Sequence, residues 1–279
     1  MPPVTLDRAP LRVAAAQAHA LAGNVAENVA TAAQLVRFAA ASGADIVVLP
    51  EMFLSGYDLD LIRSDPAACD VVPGDRRLDD LAAACYASRT VAVVGAAVRR
   101  GGRRTMSLIV VGLDGEAQIA YDAQHLPRDA RTLFEPGDHG CSVEVRGWRL
   151  GLGTRSDIGF PEHVRAATMD GCDAYLCSGL FTRGDLEYRR GLFLATRALE
   201  NTCYTVLANH VGATGDGPAC GRSAVFGPDG RVVTEADGER VDVITATLQD
   251  FEVEAARESL TMLAELPCPA SRRERIKLD

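Results

Sequence analysis

Residues 44–58 read ADIVVLPEMFLSGYD. Ala44–Pro50 is an almost unbroken apolar run, the composition of a strand buried on both faces, and Pro50 closes it. Glu51 follows at once. Upstream, Val25–Ala41 places Val29, Ala32, Leu35, Val36, Phe38 and Ala39 at helical spacing, with Gly43 as its stop. Leu11–Gln17 reads as an earlier strand. Short β-branched runs alternating with Ala- and Leu-rich helical stretches continue along the chain. Strands are expected at Thr90–Val98, Ser107–Leu113, Gln118–Tyr121, Ser142–Arg146, Arg149–Gly153, Ala174–Cys177, Tyr204–Asn209, Ser223–Phe226, Arg231–Thr234 and Val241–Thr247. Helices are expected at Pro161–Met169, Leu186–Asn201 and Leu248–Leu260. Asp114–Gly115 and Gly227–Gly230 carry turn chemistry. This order implies a layered α/β sandwich, read as a single domain over residues 1–279 with a basic C-terminal tail at 266–279.

The 279 residues are 47% hydrophobic and 24% charged, enough for a large buried core and too apolar for general disorder. No apolar stretch has the length of a membrane span, and the opening residues lack the pattern of a secretory signal. A net charge of −9 argues against a general affinity for nucleic acid or anionic membrane. Eight scattered cysteines without a CxxC pair read as free thiols, so a cytoplasmic setting is expected. Of the 29 basic residues only Lys277 is a lysine. The histidines do not gather with acids at ligand spacing, so neither a metal nor another cofactor is expected.

The segment from Ala16 to Asp58 resembles the opening of the nitrilase, or carbon–nitrogen hydrolase, superfamily, through Asn24, Asn28, Pro50, Glu51, Phe53, Gly56 and Tyr57. The likeness continues through HLPRDARTLFEPGD (125–138), SDIGFPE (156–162), ATRALENTCYTVLANHVG (195–212) and GRSAVFGPDGRVV (221–233), covering nearly the whole chain. The resemblance implies a four-layer αββα sandwich that dimerises. It also implies cleavage of amides, nitriles or carbamoyl groups by a Glu–Lys–Cys triad assisted by a second glutamate.

Carried over residue by residue, that resemblance puts Glu51 at the general base, in a closed pocket at a strand's carboxyl end. The lysine position falls on Ala123, the nucleophile position on Arg155, and the second glutamate on Ala130, beside Asp129. The expectation is therefore a degenerate triad in a protein that is not a conventional amidase or nitrilase. It would be a small-molecule-binding pseudoenzyme or, alternatively, a repurposed biosynthetic enzyme with Glu51 as general acid/base and Arg155 as substrate anchor. A small anionic ligand would meet Arg155, Tyr57, Arg189 and Arg190, arginine being suited to carboxylate or phosphate. The blander reading of Glu51 and Arg155 is a buried charge pair plugging the pocket, and of Arg189 and Arg190 solvated helix residues. Cys177 and Ser156 are weaker candidate nucleophiles, and His125 reads as structural support. A homo-oligomer is expected.

Overall fold

The computed structural model describes residues 8–265; the tail at 266–279 lies outside the described residues. The chain opens with β1 (Leu11–Gln17), α1 (Val25–Ala41) and β2 (Ile46–Val48). Two short helices, α2 (Leu59–Ser64) and α3 (Pro66–Cys69), and then α4 (Asp79–Ser88) lead into β3 (Val91–Arg100), β4 (Arg103–Val111) and β5 (Ala117–Asp122). The second half runs β6 (Ser142–Val145), β7 (Trp148–Thr154), α5 (Arg155–Ile158), α6 (Pro161–Met169), β8 (Ala174–Ser178), α7 (Asp185–Asn201) and β9 (Tyr204–Ala208). It closes with β10 (Val211–Thr214), β11 (Gly217–Cys220), β12 (Ala224–Phe226), β13 (Val232–Glu235), β14 (Asp242–Leu248) and α8 (Asp250–Ser259).

Two six-stranded sheets result, ordered β14-β1-β2-β3-β4-β5 and β13-β12-β9-β8-β7-β6, with β10 and β11 as a separate two-stranded ribbon. At the centre of each sheet the strands are parallel: β1-β2-β3 in one and β7-β8-β9 in the other. The sheets pack face to face through Val13, Ile46, Val48 and Val93 on one side and Trp148, Leu150, Leu176 and Val206 on the other. Side-chain alternation sends Ala14, Val47 and Val94 outward onto α1 and α4, and Tyr175, Cys177 and Leu207 outward onto α6 and α7. Four layers, αββα, are therefore present as expected. Each central strand is buried on both faces, which is why it reads as a continuous apolar run.

The expected α1 and α6 coincide with the observed helices, and each expected strand has an observed counterpart within a few residues. The short helices α2, α3 and α5, residues 79–88 and the β10–β11 ribbon went unassigned. Helix α4 buries only Leu81, Ala84 and Cys85, too narrow an apolar stripe to stand out. The ribbon is Gly-rich and forms against the loop after β8, where Thr182 bridges Ala219.

Candidate active site

Glu51 stands on the turn that leaves β2, and both sheets fix that turn. From its own sheet, Gly95 donates to the Pro50 carbonyl at 3.2 Å and accepts from Leu54 N at 3.0 Å. A Cβ on Gly95 would lie 2.3 Å from Met52 N, so only glycine admits the turn at this distance. Met52 takes a left-handed φ of 50°, a conformation costing about 1–3 kcal/mol for a non-glycine residue and kept only where its surroundings dictate it.

The opposite sheet supplies that dictation. Glu51 N donates to the Gly179 carbonyl at 3.3 Å, just beyond β8. The Glu51 carbonyl accepts from His210 Nε2 at 2.7 Å, just beyond β9. Glu51 Oε2 accepts from Arg155 N at 3.2 Å, at the end of β7. The carboxyl ends of three adjacent parallel strands thus converge on one residue of the facing sheet, the location where α/β sheets place ligands.

Glu51 is 1% exposed. Burial pushes its carboxyl up, Arg155 pulls it down, and the balance settles at about 7. Among the described residues its Oε1 has no hydrogen-bond partner, and neither have the buried Tyr57 Oη and Arg155 Nε. Burial, and then the Glu51 charge, raise the Tyr57 phenol so that it keeps its proton throughout the working range.

Arg155 begins α5, whose entry is set by Asp157. The Asp157 carboxylate accepts from Thr154 N at 3.0 Å and Thr154 Oγ1 at 2.8 Å. It also accepts from Tyr121 Oη and from His125 N, each at 2.9 Å. Although burial would raise it, these donors and His125 hold it below the usual carboxylate range. His125, stacked 3.7 Å from Phe160, has the supporting role expected of it.

Several sequence-based placements change. Arg155 meets Glu51 through its backbone N–H. Its guanidinium forms an ion pair with Asp216 at 3.5 Å, on the tip of the β10–β11 ribbon, and none with Glu51. Arg189 and Arg190 are not gathered with it. Helical rotation turns Arg189 to solvent beside Asp185, and Arg190 onto Glu235 and the Arg222 carbonyl on the outer face of the second sheet. Ala123 and Ala130 are buried in an apolar cluster with Met52, Tyr57, Met106, Leu126, Phe134, Leu180 and Ala219. Cys177 is wholly buried and its thiol is pushed well up, first by desolvation and next by the Glu51 charge. Cys220 accepts from Asn209 Nδ2 at 3.3 Å, and burial raises it to about 11.

His210 and Asp216 were not anticipated as site residues. His210 directly follows an apolar strand, as Glu51 does, and that shared position was its only signal. Among the described residues, no cluster of His, Cys, Asp and Glu could hold a metal ion. No helix of the described residues is long and apolar enough to cross a membrane.

Comparison with known proteins bears on this site. The carbon–nitrogen hydrolase family model matches residues 12–258. An (R)-stereoselective amidase of a Pseudomonas species is 30% identical over 248 residues, 84% of this chain and 87% of that protein. An omega-amidase of Escherichia coli is 29% identical over 222 residues, 78% of this chain and 82% of its own. Among solved structures, an amidase from Nesterenkonia, in complex with butyramide, superposes with a TM-score of 0.78 at 25% identity, covering 90% of this chain and 95% of that one. These relatives overturn the expectation of a pseudoenzyme or a repurposed biosynthetic enzyme. The proteins that match along most of both chains include amidases, omega-amidases and a nitrilase.

Proposed function

The chain belongs to the carbon–nitrogen hydrolase family, and from that premise we propose that it hydrolyses the C–N bond of a small carboxamide around Glu51. One observation carries the reading: three buried polar atoms from three different segments, Glu51 Oε1, Tyr57 Oη and Arg155 Nε, have no hydrogen-bond partner among the described residues. Buried polar atoms are nearly always satisfied. One acceptor and two donors match a carboxamide, whose nitrogen donates to Glu51 and whose carbonyl oxygen accepts from Tyr57 and Arg155.

In this reading Glu51, its carboxyl pushed up to about 7 by burial, takes in its ionised form a proton from water as the water oxygen bonds to the carbonyl carbon. The Arg155 Nε–H and Tyr57 O–H steady the resulting oxyanion. Glu51 then returns the proton to nitrogen, the C–N bond breaks, and ammonia or an amine leaves a carboxylic acid. The product carboxylate is the small anionic ligand of Arg155. Ala123 and Ala130 contribute apolar wall, and Arg189 and Arg190 have no part in the step. Water serves as the attacking group in this proposal, since the position that the resemblance assigns to the nucleophile holds Arg155 and Cys177 is wholly buried.

The test is ammonia release from butyramide and a panel of short carboxamides. Glu51→Gln should lower kcat by ~100-fold or more, while Cys177→Ala and Cys220→Ala should stay close to the unmodified protein. Absence of ammonia release across the panel, or an active Glu51→Gln, would refute the proposal. Loss of activity in Cys177→Ala would transfer the nucleophile's role from water to that thiol.

We further propose that the chain, acting as one domain, forms a homodimer and works in the cytoplasm. The dimer is supported by Tyr188, Leu192 and Leu199, which share one exposed face of α7, and by exposed Phe160 and Met169 beside α6. The compartment is supported by seven free cysteines among the described residues, six of them buried.

A further inference from the structure

We propose that His210 is a positioning residue for Glu51, its Nε2–H holding the Glu51 carbonyl and so fixing the turn that aims the carboxyl group. This inference rests on Glu51 being the proton-carrying group. The hydrogen bond is 2.7 Å long and wholly buried. Its acceptor is a carbonyl, so the proton must sit on Nε2, leaving Nδ1 as the bare nitrogen.

That Nδ1 is buried and has no hydrogen-bond partner among the described residues. A residue present only to fill space would avoid such a loss, since an apolar ring leaves nothing unsatisfied. The imidazole is therefore explained by what its other nitrogen does. Burial holds its pKa down at about 4, so the ring is neutral and its hydrogen-bonding pattern does not change across the pH range in which Glu51 titrates.

The platform beneath His210 is rigid. Asn209 donates from Nδ2 to the Gly221 carbonyl at 2.7 Å and accepts at Oδ1 from Phe181 N at 2.8 Å. Gly221 N in turn donates to the His210 carbonyl at 3.0 Å. The Phe53 ring, two residues past Glu51, sits 5.9 Å from the imidazole and closes its other side. His210 thus links the end of β9 to the one peptide that precedes the left-handed Met52. Without it, the carbonyl of Glu51 loses its one side-chain partner among the described residues and the turn has one fewer constraint against relaxing.

Two substitutions separate positioning from packing. His210→Phe keeps the ring and removes the donor, whereas His210→Gln keeps an N–H at nearly the same reach. His210→Phe should lower kcat on a carboxamide by roughly 10- to 100-fold with KM within about 2-fold, as misplacement of a reacting group does. His210→Gln should recover most of that loss. Independently of turnover, the Glu51 carboxyl titration followed by carbon NMR should move from about 7 toward the ordinary range in His210→Phe and stay in place in His210→Gln. Unchanged kcat and unchanged titration in a folded His210→Phe would overturn the proposal. Should that variant not fold, nitrogen NMR of the unmodified protein decides, because a proton found on His210 Nδ1 rules the hydrogen bond out. If no carboxamide is turned over, the proposed reaction fails, and the titration alone still judges His210.

Discussion

At Glu51, burial and charge act in opposite directions, and the result sets both chemistry and stability. Its carboxyl is raised from 4.5 to about 7, so folding favours the protonated form. The stability it contributes is fully present below pH 4.5 and is lost as pH rises through about 7. Glu51→Gln cannot ionise. It should melt like the unmodified protein near pH 4.5 and be more stable by about 3 kcal/mol above pH ~8, measured by urea unfolding at both pH values. Equal stability of the two proteins above pH ~8 would show that the carboxyl is not desolvated as described. Arg155 is the charge that opposes this burial. Arg155→Leu should push the Glu51 titration above 7 and cost on the order of 3–5 kcal/mol where Glu51 is ionised, while adding Glu51→Leu should recover much of the loss. A single mutant as stable as the parent at alkaline pH would contradict it.

Among the elements, the crossing of β3 with the turn after β2 has little tolerance. Gly95 lies within the apolar run of β3, and a methyl group there would meet Met52 N at 2.3 Å and Glu51 Cα at 2.8 Å, both backbone atoms that cannot swing aside. Gly95→Ala should therefore cost at least ~1–3 kcal/mol and impair turnover together with stability. Thermal melts and kcat on the same preparation test this, and a variant that loses neither would mean the turn can shift without consequence. The end of α4 is a contrasting case. Arg89 occupies the left-handed C-cap position at φ 55° and is exposed, so Arg89→Gly should raise stability by about 0.5–1 kcal/mol in the same melts, with turnover untouched.

For the molecule as a whole, the outer face of α7 is the most informative surface. Leu192 and Leu199 fall seven residues apart, two helical turns, and both are exposed beside Tyr188. A second copy covering this stripe would bury it about a two-fold axis. Light scattering should return twice the chain mass at micromolar concentration, and the double variant Leu192→Glu, Leu199→Glu should return one. A monomeric unmodified protein would remove the proposed dimer.

The sequence by itself determined the strands of the two large sheets, four of the eight α-helices of the described residues and the place of Glu51. Period-two and period-3.6 burial are local consequences of which face a residue must hide, and Pro50 ends its strand by its own ring. The pairing of side chains across the two sheets was decided only by the tertiary structure. Arg155 was legible as the residue after β7, yet its backbone N–H reaches Glu51 while its guanidinium goes to Asp216, because the β10–β11 ribbon tip is brought over α5. Arg189 and Arg190 read alike in sequence, but the rotation of about 100° between successive residues of α7 sends the first to solvent and the second against Glu235. His210 lies 159 residues from the carbonyl it holds. A contact of that kind depends on how two sheets stack, and neither strand's own periodicity encodes which residue will stand opposite.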